Sequence, residues 1–188
     1  DAAALFLLHQ PMLHELAKLD MQSLYTDMEL PLSKVLYDME REGFLVDESI
    51  LCELQTQFGT RASALAAEIY RHAGKEFNIL SPKQLGEILF GELGLKGQRK
   101  TKTGYSTDAD TLEALSGEHP IVPLVLEYRF ITKLKSTFVD GLLSLKSADG
   151  RVRSQFNQCV TATGRISSTE PNLQNIPVRS AQGREIRK

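Results

Sequence analysis

Tryptophan is absent from this 188-residue sequence, and cysteine occurs only twice, at Cys52 and Cys159. Two cysteines so far apart make no CxxC unit. Neither a disulfide framework nor a zinc site is indicated, which points to a reducing, intracellular compartment. Long hydrophobic runs are also missing. None approaches the roughly 18 residues of a membrane span. Residues 2–8 are apolar, but Asp1 precedes them and no basic n-region exists, so no secretory signal is indicated. Neither sign of charge dominates, with 22 Lys and Arg against 24 Asp and Glu. There is no internal repeat and no low-complexity tract. An initiating Met is lacking, and the pattern does not close at Lys188, so both ends are expected to be cuts.

What is present suits a folded chain of one ordinary domain or two small ones. Hydrophobic residues make up 41% and charged residues 24%, enough for a core and a solvated surface. The net charge of −2 conceals an uneven distribution. Residues 151–188 hold seven basic residues (Arg151, Arg153, Arg165, Arg179, Arg184, Arg187 and Lys188) against two acidic ones, Glu170 and Glu185. A second basic island, Lys96, Arg99, Lys100 and Lys102, has no acid between Glu92 and Asp108. Such clusters mark either a polyanion contact or a solvated loop, and charge alone leaves both open.

Hydrophobic periodicity predicts mostly helix. Residues 1–19 form the first, which Pro11 is expected to kink or break. Residues 27–42 form the second, with Pro31 in its first turn, Leu32, Leu36 and Met39 on one face, and Gly43 as its stop. Residues 44–46 are extended. Asp47 caps a long helix whose stripe is Leu51, Leu54, Phe58, Ala62, Leu65 and Ile69, a core face. Ser81 opens another helix, with Gln84 reaching back to complete a capping box and Leu85, Ile88 and Leu89 along one side. Residues 94–105 are expected to be an exposed loop. Thr107 and Asp110 form a second box ahead of Leu112 and Leu115. The most regular helix covers 121–146, its face built from Leu124, Tyr128, Ile131, Leu134, Phe138, Leu142 and Leu145. Arg129 and Lys133 project together from another side. After Asp149-Gly150 the pattern alternates as a strand does over 151–157.

Residues 161–180 carry the chemistry. Five Ser/Thr hydroxyls fall in the nine residues 161–169, followed by Asn172, Gln174, Asn175 and Arg179. A segment so polar builds no core. It is either solvated or satisfies its donors on a polar partner. Gly164 permits close backbone approach, and Arg165 offers a rigid fork of donors. Such groups suit the minor groove of a duplex, where every base pair presents N3 or O2 acceptors. The residues by themselves leave a nucleic-acid contact loop and a merely exposed loop both open. Acids elsewhere, such as Asp108 and Asp110 or Glu40 and Glu42, are caps and solvated helix faces, and no metal site is expected.

The string TATGRISSTEPNLQNIP, residues 161–177, resembles the signature of DNA polymerases of family A, the bacterial DNA polymerase I type, found just ahead of their first catalytic aspartate motif. EYRFITKLKSTFVDGL, residues 127–142, resembles the family's long thumb helix, and FNILSPKQLGEILFGELGL, residues 77–95, an earlier thumb segment. DAAALFLLHQPM, residues 1–12, is similar to the end of the exonuclease-like domain. The resemblance implies a mainly α fold: residues 1–20 end the exonuclease-like domain, 21–148 form a helical thumb with a DNA-contacting loop near 94–107, and 149–188 begin an α/β (α+β) palm that stays incomplete. It implies that Arg129 and Lys133 contact the primer–template duplex, that Arg165 reaches into the minor groove at the primer terminus, and that Asn172, Gln174 and Asn175 lie near the template and terminal base pair. Arg179 is implied at the phosphates of the incoming nucleotide, and Asp1 stays unassigned.

The family binds two Mg²⁺ through palm aspartates and holds the nucleotide with a fingers Lys and Tyr. None of these is present among the 188 residues, so the fragment alone is expected to be inactive and to bind no metal. The complete enzyme implied is a Mg²⁺-dependent DNA-directed DNA polymerase of replication or repair. Its partners are primer–template DNA and deoxynucleoside triphosphates. It is expected to be a bacterial, cytoplasmic, nucleoid-associated monomer without a membrane contact. The rival expectation is a non-catalytic helical module that binds nucleic acid or protein.

Overall fold

The computed structural model describes residues 2–96, 100–101 and 104–187. Arg99 and Lys102 of the basic island, together with Asp1 and Lys188, lie outside the described residues. The fold is mainly α. In chain order it contains α1 (Ala2–Lys18), a π turn (Leu24–Glu29), α2 (Leu30–Glu42), β1 (Phe44–Leu45), α3 (Glu48–Ala73), α4 (Pro82–Gly86) and a second π turn (Glu87–Glu92). There follow β2 (Lys100–Thr101), β3 (Gly104–Tyr105), α5 (Ala109–Ala114), α6 (Ile121–Lys133), a third π turn (Leu134–Val139) and α7 (Asp140–Leu145). The chain then runs through β4 (Arg151–Val152), β5 (Gln155–Asn157), β6 (Ser167–Thr169), a 3₁₀ turn (Leu173–Asn175) and α8 (Ala181–Ile186). The strands form three two-stranded antiparallel ribbons, β1–β4, β2–β3 and β5–β6. Among the described residues no helix is long and apolar enough to cross a membrane.

The chain divides into two compact units, each drawn from two segments: Asp1–Val46 with Leu145–Ile176, and Asp47–Ser144 with Pro177–Lys188. The blocks expected from the sequence, 1–20, 21–148 and 149–188, are contiguous, whereas these units interleave. Long-range pairing is the reason. Phe44 pairs with Val152 and Leu45 with Arg151, which draws residues after 145 back to α2. Ile186 of α8, nearly buried, packs with α3 and the third π turn, which draws the C-terminal residues to the other unit.

In the first unit α1 continues through Pro11. A proline removes one N–H, and the carbonyl of Leu7 that loses it lies on an exposed helix open to water. The second helix starts earlier than expected, because the π turn at Leu24–Glu29 runs directly into α2. Leu36 is the buried residue of α2, while Met39 is exposed. Gly43 ends α2 at φ +70°, where a Cβ would stand 2.8 Å from both Arg153 Cγ and the Val152 carbonyl oxygen. The expected strand 151–157 is split. Ser154 breaks it, donating to the Pro171 carbonyl, and the halves pair with different partners. Arg153 closes its fork on Asp149 at 3.2 and 2.5 Å and donates from Nε to the Arg41 carbonyl at 3.0 Å. Arg151 reaches the Gly43 carbonyl at 3.2 Å and Glu42 at 3.0 Å. The Arg153 guanidinium holds the Asp149 carboxyl down to about 2.

In the second unit Asp47 caps α3, accepting from Ser49 N at 3.0 Å and Ile50 N at 3.2 Å. Leu51, Leu54, Phe58, Leu65 and Ile69 of α3 are buried as expected. The core gathers Ile69, Ile79, Leu85, Ile88, Leu89, Leu112, Leu115, Ile121, Val122 and Val125. Ser81 caps α4, but Gln84 does not close a box. Its Oε1 accepts from Asn78 N at 2.7 Å, because the Ser81 N–H already donates to the Asn78 carbonyl. Part of the expected loop 94–105 is the β2–β3 hairpin. The cap of α5 is Asp108, accepting from Thr111 N at 2.9 Å, and not Thr107. The long helical run keeps Ile131, Leu134, Phe138 and Leu142 of the expected stripe buried, while Leu124 and Tyr128 are only partly buried. Ile121, Val122, Val125 and Ile131 are buried before the third π turn, then Leu134, Phe138, Val139 and Leu142. Leu145, the last residue of α7, is exposed.

Candidate nucleic-acid interface

The β5–β6 ribbon of the first unit sets Gln155 against Thr169, Phe156 against Ser168 and Asn157 against Ser167. Residues 158–166 are therefore its connecting loop. Gly164 N donates to the Thr161 carbonyl at 3.3 Å, and the Thr161 hydroxyl donates to the Arg165 carbonyl. The turn needs φ +71° at Gly164, a left-handed conformation that glycine takes without a Cβ penalty. From the following segment, Gln174 Nε2 donates to the Ile166 carbonyl at 2.7 Å. Asn172 Oδ1 caps the 3₁₀ turn by accepting from Asn175 N at 3.3 Å. Every one of these bonds ties side chain to backbone or backbone to backbone. They hold the loop's shape without using the Arg165 guanidinium.

That guanidinium is exposed and pairs with no acid among the described residues, Glu170 included. Asn172, Gln174 and Asn175 are exposed on the same unit. Four of the expected site residues thus share one short stretch of chain, with one carbonyl of that stretch already bound by Gln174.

The other three belong to the second unit. Lys133 is exposed at the end of α6. Arg129, one turn earlier, is half-buried. It donates from Nη1 to the Thr107 carbonyl and from Nη2 to the Thr107 hydroxyl at 3.4 Å. Burial pushes its pKa down from the ordinary arginine value. The two side chains that were expected to project together therefore differ: one faces solvent and the other is turned onto its own unit. Arg179 is exposed, and its carbonyl accepts from Arg184 at 3.1 Å.

Glu40, expected on a solvated helix face, is engaged, and so is Glu29, which the sequence did not single out. Glu40 Oε1 accepts from Phe156 N at 2.6 Å, and Glu29 accepts from Gln158 Nε2 at 2.9 Å through Oε2 and at 3.0 Å through its carbonyl. No local signal marks either one, since their partners lie more than a hundred residues away. Among the described residues no group of three or more His, Cys, Asp or Glu is placed to hold a metal ion.

The model of DNA polymerase family A matches residues 48–188. The chain belongs to DNA polymerase family A. Among curated relatives, "DNA polymerase I" of Mycobacterium leprae (strain TN) is 51% identical over 175 residues, covering 92% of this chain and 19% of the relative. "DNA polymerase I" of Geobacillus stearothermophilus is 47% identical over 187 residues, covering 99% of this chain and 21% of the relative. The chain therefore spans about a fifth of the length of the curated family A polymerases it matches. A solved structure, described as the POL domain of Pol1 from M. smegmatis in complex with DNA primer-template and dNTP, superposes with a TM-score of 0.94 at 47% identity. It covers 99% of this chain and 33% of that one.

Proposed function

We propose that this chain is the part of a family A DNA polymerase that grips primer–template duplex and presents the primer terminus for templated addition of deoxynucleotides. The carrying observation is Arg165, exposed and without an ion pair among the described residues, on a loop whose shape is held by other residues. A fork of donors set out in this way suits the acceptors that all correct base pairs share in the minor groove. Asn172, Gln174 and Asn175 add donors and acceptors for the template and terminal pair. Lys133 meets a duplex phosphate, and Arg179 meets the phosphates of the incoming nucleotide.

In family terms, residues 1–20 end the exonuclease-like domain, 21–148 make the thumb and 149–188 open the palm. The complete enzyme catalyses attack of the primer 3′-hydroxyl on a deoxynucleoside triphosphate with release of pyrophosphate, in a bacterial cytoplasm. Divalent Mg²⁺ supplies charge stabilisation to that reaction. The described residues offer no ligand set for it, and the role proposed for this chain runs through no metal.

Titration of the chain with primer–template duplex at several salt concentrations tests the proposal. Binding is expected to show no sequence preference. It should weaken with a log–log slope of about 0.9 for each phosphate met. Salt-independent binding, or strong preference for one duplex sequence, would contradict it.

A further inference from the structure

The loop that carries Arg165 has a root, and two glutamates hold it. Residues 29 and 40 are eleven apart in the continuous helical run from the first π turn into α2, about three turns at 3.6 residues each, so both fall on one face of that run. Leu36, buried, lies on the same face, and α2 packs against β5. β5 is paired on one side with β6, which leaves the Phe156 N–H to find another acceptor. Glu40 provides it at 2.6 Å. Two residues on, where the strand becomes the loop, Gln158 Nε2 is bound by the Glu29 carbonyl and carboxylate. Beneath this root lies an apolar hollow of about 310 Å³, lined in part by Leu16, Leu24, Tyr25, Leu30 and Cys159. A hollow gives few packing contacts, so hydrogen bonds fix the root there.

We infer that Glu40 and Glu29 are positioning residues for templated extension, acting through the Arg165 loop by fixing β5 at Phe156 and Gln158. The inference rests on the proposed role of Arg165 at the primer terminus. Glu40 would act only through its bond to the β5 backbone. It sets where the Arg165 fork stands, and a small misplacement of reacting groups costs rate steeply.

The test uses the complete polymerase carrying these residues. Single-turnover extension, duplex affinity and melting temperature are measured for Glu40→Ala, Glu40→Gln, Gln158→Ala, Arg165→Ala and the Glu40→Ala/Arg165→Ala double variant. Glu40→Ala is expected to slow extension about tenfold, the loss of one charge-assisted bond, with duplex affinity within about twofold of wild type. Glu40→Gln keeps a carbonyl acceptor for Phe156 N and should retain most of the rate. Gln158→Ala should follow Glu40→Ala in direction, and it carries the test should Glu40→Ala not fold. The double variant should be scarcely slower than Arg165→Ala alone, because the two act in series. Wild-type rates in Glu40→Ala and Gln158→Ala with a slow Arg165→Ala overturn the tether and leave the Arg165 reading standing. A wild-type rate in Arg165→Ala overturns that reading and this inference together. Multiplicative losses in the double variant overturn the inference by showing that Glu40 acts elsewhere.

Discussion

Arg129 of α6 turns its guanidinium onto Thr107, binding the carbonyl and the hydroxyl of one residue just ahead of α5. A half-buried cation bound in this way works mainly on its own fold. Arg129→Ala is expected to destabilise the chain by about 1.5–3 kcal/mol, the range for a hydrogen bond involving a charged group. It should leave the salt dependence of duplex binding nearly unchanged. Lys133→Ala should do the reverse, with little effect on melting and a log–log salt slope lower by about 0.9. A slope change in Arg129→Ala equal to that in Lys133→Ala would show that Arg129 also meets a phosphate.

Asp149 and Arg153 make a pH-dependent contact. The hydrogen bonds from Arg153 hold the Asp149 carboxyl at about 2, below the unperturbed 3.8. A carboxyl depressed on folding contributes stability that is complete above its unfolded value and is lost as pH falls through the folded one. Melting followed between about pH 5 and pH 2 should therefore steepen below about pH 4. Arg153→Ala should flatten that part of the curve. A wild-type curve already flat there would show that the pair contributes nothing to folding.

Gly43 joins α2 to β1 in a left-handed conformation with Arg153 Cγ and the Val152 carbonyl pressed against it. Gly43→Ala adds both an unfavourable φ and a clash with backbone. It is expected to lower stability by about 1–3 kcal/mol, measurable by denaturant melting. Gly74→Ala shares the positive φ but meets nothing within 4 Å, and should cost less.

These residues also show what a sequence discloses. Asp47 as a cap, Ser81 before Pro82, Gly43 as a stop and the α3 stripe are local signals, and each is found where the pattern put it. One-residue errors arise where two local solutions compete. Thr107 and Asp108 both could cap α5, and Asp108 does so while Arg129 takes Thr107. The third π turn leaves no mark in the periodicity, since Ile131 before it and Leu134, Phe138 and Leu142 from it onward are all buried as the stripe had them. Tertiary partners are the least legible. Nothing near Glu40 announces Phe156, and nothing near Phe44 announces Val152. The Arg165 loop stood out because its composition could build no core, but the lack of an ion pair to Arg165 among the described residues could be learned only from the fold.

The 188-residue chain by itself is expected to incorporate no nucleotide on primer–template with Mg²⁺ and all four triphosphates. The described residues provide no carboxylate cluster for the two metal ions of phosphoryl transfer. Templated extension by the pure chain would contradict this.

Arg165→Ala in the complete polymerase should hurt extension far more than duplex affinity. In the proposed clamp many phosphate contacts would share the grip on DNA, so one arginine would contribute little to overall binding. At the primer terminus the proposed role is different, because a fork aimed at minor-groove acceptors would hold the terminal pair in line for attack. Loss of a charge-assisted hydrogen bond is worth roughly 1.5–3 kcal/mol, a slowing of about ten- to a hundredfold. Arg165→Lys should recover only part of the rate, since a point charge does not reproduce the planar fork. The competing account, in which Arg165 props the loop through Glu170, has no ion pair to support it among the described residues. The loop is instead closed by Thr161, Gly164 and Gln174. Melting temperatures of both variants should therefore stay close to wild type. Single-turnover extension and duplex binding measured side by side decide the matter. Equal losses in rate and affinity, or a melting drop large enough to explain both, would take Arg165 out of the site.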